Sequence, residues 1–531
     1  MLTADPRLPP SPAVAIVGAA VEGEPAPAPT EASASSPVLG ARVVALALAP
    51  DGAPELAAFL AEPDLQRALG TWFGPGWRVE PGAAGRRRLT GVLDQEIARL
   101  DALLTDQVNA ILHHPRFQQL EASWRGVRYL TEQGGHVDSV LIRLLNVSWP
   151  ELCRDFERNI EADQSQLFDK VYSAEFGMPG GKPYGILLCD YYVQHRRTPD
   201  RPTDDVGGLF GLAQVAAAAF APAVIGAMPA LLGLDSFAQL ELPIDLSHPF
   251  RQAAYQRWNA LQDKEDTRFV GVVLPRILMR QPYTEQLRRR EPFCYREDAR
   301  GLKASDYLWG NAIYAFGSVV IRAFRDYGWF ADIRGFERGQ NAGGLVTDLP
   351  TACFATDREG IGLRPVVEVP VCDHHERVLN GLGLIPITSV PSSPFAVFYS
   401  NQSLHRPAVV ENRLAMMNAR LSVMLQYMLC VSRFAHYIKV MARDAVGKLT
   451  TPEACAELIR NWISNYVLTN DDVDTDQRAQ YPLRDFQVQV REAPNRPGIY
   501  LCTVHLQPQF QLDSVLTSFR LTTELTSVRV T

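Results

Sequence analysis

The chain has 531 residues, too many for one compact core, so two or more domains are expected. Apolar residues make up 47% and charged residues 21%, ordinary globular proportions that allow a large buried core. A net charge of −7 argues against nucleic acid as the main partner.

The eight cysteines lie at 153, 189, 294, 353, 372, 430, 455 and 502, with no CxxC pair, so neither a zinc site nor a dense disulfide scaffold is indicated. Reduced, mostly buried thiols suit the cytoplasm. The first residues, with Asp5, Arg7 and several prolines, do not read as a signal peptide.

Residues 1–40 are rich in Pro, Ala and Ser and are expected to stay disordered. A short strand is expected at 42–48 (RVVALAL), a helix over 54–73, and a flexible basic link at 81–88. Leu93, Ile97, Leu100, Leu104, Val108 and Ile111 recur at steps of three or four, predicting an amphipathic helix that Pro115 ends or kinks. Strands are expected within 137–147 and, buried, at 185–190 and 268–274.

Residues 207–234 carry no charge and are long enough to imitate a membrane span. Pro222 and Pro229 interrupt the run, and its Ala and Gly bury little area, so it reads as two buried helical pieces rather than an inserted segment. Residues 414–445 predict one long helix with a continuous apolar seam from Leu414 to Ala445. A helix over 454–467 follows, with Thr451 as its cap and Pro452 at its first position. Three alternating runs, 486–490, 500–506 and 519–525, then predict an antiparallel meander packed on the 414–445 helix.

Motifs with chemistry are weak. Asp373, His374, His375 and Glu376 tempt a metal reading, but adjacent histidines do not share one face, and a solvated polar turn after a strand at 366–371 is expected. His113 and His114 end a helix, where a cation suits the dipole. The glycines of 177–183 (GMPGGKP) do not fit a phosphate loop, and Gly381 and Gly383 lack a dinucleotide setting. No catalytic constellation or cofactor site stands out. Residues 307–311 (YLWGN) and 432–439 (SRFAHYIK) are dense in large side chains with polar tips and fit either an interface or the core.

Several of these segments also carry a family likeness. Residues 111–130 (ILHHPRFQQLEASWRGVRYL), 168–181 (FDKVYSAEFGMPGG), 269–280 (FVGVVLPRILMR), 307–316 (YLWGNAIYAF), 348–350 and 418–439 (NARLSVMLQYMLCVSRFAHYIK) follow one another in family order, with the tail at 500–525. Over about residues 93–531 the chain resembles the TssC/VipB family, the large subunit of the type VI secretion contractile sheath.

The resemblance implies a structural protein, not an enzyme, with a mixed α/β (α+β), multi-domain fold and a C-terminal antiparallel meander on long helices. Its implied partners are a small sheath subunit of the TssB/VipA type, an inner tube of the Hcp type, a baseplate and, indirectly, an AAA+ disassembly ATPase. The expected divisions are a leader at 1–40, a linker and inter-subunit segment at 41–92, a central sheath domain at 93–400 and a core domain facing the inner tube at 401–531. Glu453, Glu457, Arg460 and Asn461 are the candidate inner-tube contacts. Phe519, Leu521, Thr523 and Leu525 are the candidate inter-subunit strand. The rival reading is a metal-dependent enzyme using Asp373 to Glu376.

Overall fold

The computed structural model describes residues 13–18, 59–135 apart from 75 and 79, 139–283 apart from 160 and 179, and 307–353 apart from 337 and 338. It also describes 362–407, 422–468 apart from 445–450, 475–492, 499–509, 519–526, and positions 293, 295, 297, 416 and 419. The strand expected at 42–48 lies outside these residues. The chain divides into two compact units, one of residues 1–21, 119–281 and 307–531, the other of 22–118 and 282–306.

Strand β1 spans Ala13–Gly18, inside the leader expected to stay disordered. Averaged composition hid it: AVAIVG is a six-residue apolar run between proline-rich stretches. In the second unit, α1 spans Leu65–Phe73, and the helix expected over 54–73 is broken at Pro63. Proline has no N–H to donate to a helix interior, and Asp64 starts a new helix by accepting from Arg67 N at 3.0 Å. Helix α2, Ala83–Leu112, absorbs the basic stretch expected as a flexible link. Arginine is a good helix former, and Gly82 at φ 97° supplies the turn into the helix. Pro115 ends α2 and opens α3, Pro115–Gly134, where its missing N–H costs nothing.

The first unit is built on a parallel sheet. Strand β2 is Leu141–Asn146, α4 is Trp149–Arg158 with a Ser148–Glu151 capping box, and β3 is Tyr184–Val193. Helix α5, Asp205–Ala219, leads to β4, Ala223–Ala227. The uncharged run at 207–234 is therefore helix, then strand, then a 3-10 turn, not two helical pieces. Phe220 at φ 52° closes α5, and Pro222 cannot extend it, so Val224 and Ile225 go into the sheet. Among the described residues no helix is long and apolar enough to cross a membrane. Helix α6, Gln256–Gln262, precedes β5, Val270–Leu274.

Strand β6, Ile277–Leu278, pairs with β7, Trp309–Gly310, before α7, Ile313–Tyr327, and β8, Leu345–Val346. The strand expected at 366–371 reduces to one bridge, Val367 opposite Ile277. Helix α8 is Asp373–Gly381, followed by β9, Ile385–Pro386, β10, Thr388–Ser389, and β11, Ala396–Val397. The main sheet runs β2-β1-β3-β4-β5-β9, all parallel, and a small antiparallel sheet runs β10-β11-β8. Strand β3 shows the layering. Leu187, Cys189, Tyr191 and Val193 enter a core with α4 and α5, whereas Ile186 and Leu188 enter another with α3 and α7. A parallel sheet covered on both faces explains its continuous apolar strands.

Helix α9 is Leu425–Asp444, α10 Pro452–Ile463 and α11 Thr475–Gln480. Strands β12, Leu483–Glu492, β13, Ile499–Pro508, and β14, Phe519–Thr526, form the expected antiparallel meander. The single helix expected over 414–445 is not continuous. Ser403 N donates to Val423 O at 2.8 Å and Leu425 N to Asn401 O at 2.9 Å, so the backbone before α9 pairs like a strand. The meander packs where expected: Val431, Phe434, Ala435 and Ile438 of α9 share a third core with Cys455, Ile459 and Ile463 of α10, Leu483 and Val488 of β12, and Cys502, Val504 and Leu506 of β13. Of the seven described cysteines, Cys153, Cys189, Cys430, Cys455 and Cys502 are buried, Cys353 and Cys372 exposed, and all are free.

Three histidines are built into these cores as neutral rings. His195 meets Ala230 O at 3.1 Å, His405 meets Lys264 O at 3.0 Å, and His436 meets Ala219 O at 3.0 Å. Burial lowers the pKa of each, and that of His436, which is also near Arg433 and Lys439, falls to about 3. Below the ordinary value of 6.5 the unfolded chain binds a proton that folded His436 refuses until about pH 3. Stability from this site is therefore full above pH 6.5 and declines as pH falls from there toward 3. We expect His436→Gln to flatten the decline between pH 6.5 and 5 by about 1 kcal/mol per pH unit in chemical denaturation. An unchanged slope contradicts the assignment.

Candidate assembly surfaces and their support

Helix α10 is positioned by its cap and its inward stripe. The Thr451 hydroxyl accepts from Ala454 N at 3.3 Å, Pro452 takes the first position, and Cys455, Ile459 and Ile463 recur every four residues on the buried side. The opposite side presents Glu453, Glu457, Arg460 and Asn461, all exposed, with Leu458 beside them at 39% exposure. The four residues expected to face outward do so. The helix ends at Ile463 and tightens into a 3-10 turn, Ser464–Tyr466, short of the expected 467.

The meander offers a second surface. Strand β13 is its centre, and β14 pairs with it in register: Phe519 opposite Leu506, Leu521 opposite Val504, Thr523 opposite Cys502 and Leu525 opposite Tyr500. The two edges differ. At β12, Leu468 N donates to Leu483 O at 2.9 Å and Val467 bridges Leu483, so that edge is partly covered. Among the described residues no strand lies beyond β14. An uncovered edge is a row of backbone donors and acceptors available to another chain.

The segments singled out for their density of large side chains are core. Asn311 is buried and donates to Tyr191 O at 3.0 Å. On α9, Arg433 is 2% exposed and donates to the Tyr437 hydroxyl; its guanidinium lies 4.6 Å from the Phe324 ring centre and 4.4 Å from that of Tyr437. Burial lowers its pKa, opposed by Tyr437. The Lys439 ammonium sits 4.9 Å from Tyr172, 5.2 Å from Phe176 and 4.8 Å from Phe220. Desolvated cations over aromatic faces gain about 2 kcal/mol.

Sequence reasoning missed the buried cluster under residues 111–130. Glu121 accepts from Arg125 and Arg280, each at 2.8 Å. The Ser123 hydroxyl and Tyr314 both donate to Asp190 within β3. Burial raises the Asp190 pKa, and these hydrogen bonds oppose the rise. Gly126 has to lack a side chain, because a Cβ there would lie 2.4 Å from the Tyr314 ring. Only spatial neighbours explain these residues, so no local pattern could reveal them.

The four residues of the metal reading do not form the solvated turn expected of them. They are the first turn of α8, begun at Cys372 with extended backbone. His374 is exposed, whereas His375 is buried with Nδ1 3.1 Å from Leu240 O, and Glu376 accepts from Ser400. The two imidazole centres are 5.8 Å apart in different surroundings, and the described residues contain no group of three or more His, Cys, Asp or Glu placed to hold a metal ion. The 177–183 segment is a turn, with Gly180 at φ 81° and Gly181 N donating to Met178 O at 3.1 Å.

Two family descriptions match the chain: the EvpB/VC_A0108 tail sheath N-terminal domain (VipB) over residues 94–405, and the EvpB/VC_A0108 tail sheath gpW/gp25-like domain (VipB_2) over 414–525. The chain is also similar to the type VI secretion system sheath protein TssC1 of Pseudomonas aeruginosa, with 37% identity over 440 residues, covering 82% of this chain and 86% of that protein.

Proposed function

Because the chain belongs to the VipB tail-sheath family of type VI secretion systems, we propose that it is the large subunit of a contractile sheath, paired with a small sheath subunit and polymerised as a helical tube around an inner tube. The carrying observation is that two tail-sheath domains match in order, over residues 94–405 and 414–525. The protein acts by assembly rather than turnover, in the cytoplasm. Its partners are a TssB/VipA-type subunit, an Hcp-type tube, the baseplate and, through the small subunit, an AAA+ ATPase. Repeated heterologous contacts that do not close make a helical tube, and contraction releases a metastable packing without fuel at firing.

The domain that begins near residue 401 faces the inner tube through α10. Its charged, exposed face supports this reading, since rim charges govern register and encounter more than raw affinity. Reversing Glu457 and Arg460 together should leave the heterodimer folded and lower the number of sheaths formed on inner tubes by about tenfold. Sheaths at normal frequency around inner tubes mean another helix makes the contact.

The β14 edge joins neighbouring subunits by strand pairing. Its support is the asymmetry of the meander: β12 is partly covered, whereas among the described residues no strand covers β14. Leu521→Pro and Thr523→Pro each remove one ladder donor. Soluble heterodimers that fail to polymerise are expected; sheaths of normal length from both variants, seen by electron microscopy, would reject the strand role.

A further inference from the structure

Helix α9 begins the C-terminal family domain in the described chain, yet its polar side chains reach into the N-terminal one. Its first turns, with Leu425, Leu429 and Cys430, complete the core beneath the parallel sheet. Its later turns, with Val431, Phe434, Ala435 and Ile438, belong to the core under the meander. One rigid helix thus serves two cores with no loop between them.

Four cationic or polar groups along α9 then grip residues between 172 and 330. Arg433 enters the rings of Phe324 and Phe330, at 4.6 and 6.0 Å. His436 Nε2 meets Ala219 O at the end of α5. Lys439 enters the cage of Tyr172, Phe176 and Phe220 and donates to the Tyr172 hydroxyl at 3.2 Å. Arg443 donates to Met178 O at 3.0 Å. Phe220 holds a left-handed backbone conformation at φ 52°, rare for an aromatic residue, while its ring closes the lysine cage.

This arrangement differs from ordinary core packing. Among the described residues Arg433 has no carboxylate partner, and its Nε and Nη1 make no hydrogen bond. A buried guanidinium without a counter-ion is costly, and an apolar residue of similar length would fill the same space more cheaply. What the cations add over apolar residues is direction: a charge prefers the face of a ring, which fixes rotation and axial position, whereas an apolar contact tolerates sliding.

We propose that α9 is a rigid coupler, in which Arg433 and Lys439 lock the meander domain to the parallel-sheet domain so that the two open and move as one body. The lock stands whether or not the chain forms a sheath.

The test is native-state hydrogen exchange of the full chain, co-purified with the small sheath subunit, in mild denaturant. In the unaltered protein, β3, β4 and β5 and the strands β12 and β13 should share one opening transition. In Arg433→Met with Lys439→Met, the amides of β12 and β13 should exchange about tenfold faster or more, while those of β3, β4 and β5 keep their protection. Lys439→Arg, which keeps a cation in the cage, should exchange like the unaltered chain. If the double variant does not fold, Lys439→Met alone, at a part-buried site, should show the same split at smaller amplitude. An equal rise in both regions, or no rise in either, overturns the coupler. Microscopy of the same preparations reports separately on sheath formation: absent sheaths with intact coupling fault the sheath reading alone.

Discussion

Burial of α9 along two sides and into two cores is the constraint on which the arrangement depends. The segment before it pairs with residues 401–403, which sets where the helix can start. Its early turns close the lower layer of the parallel sheet, and its later turns hold α10 and the meander. Phe434, Ala435 and Ile438 are fully buried, whereas α10 keeps an exposed polar side and, among the described residues, no strand pairs beyond β14. The helix that carries the densest signature in the sequence is core, and it holds α10 and the meander in place.

The parallel sheet was legible because its strands are buried on both faces. Residues 186–189 and 270–274 are short runs without a polar side chain, and both fall in interior strands. The run at 207–234 defeated periodicity for the same reason: helix and strand look alike when every side is apolar, and only Pro222 marks the change. β1 was hidden by the opposite problem, a short strand diluted in a Pro/Ala/Ser-rich segment and paired with strands more than 120 residues away. The meander was legible because side chains alternate in burial along its strands, as Cys502, Val504 and Leu506 alternate with half-buried Leu501, Thr503, His505 and Gln507.

The candidate surfaces divide along the same line. The exposed side of α10 followed from helical spacing alone, since Cys455, Ile459 and Ile463 fix which side faces in. The Glu121, Ser123, Gly126, Asp190 and Tyr314 cluster did not, because it joins α3, β3 and α7 across long separations. Glu121, Ser123 and Gly126 stand in the family-like stretch 111–130 and Tyr314 in 307–316, and with Asp190 they hold the sheet to its helices. Within it Asp190 accepts from Ser123 and Tyr314, and one Glu121 oxygen accepts from Arg125 and Arg280.

The most direct measurement is electron microscopy of the full chain co-expressed with its small sheath partner, at a protein concentration that permits polymerisation. The account predicts hollow helical tubes of repeating heterodimers, wide enough to enclose an inner tube. Discrete particles that never elongate, with both proteins folded and bound to each other, would contradict it.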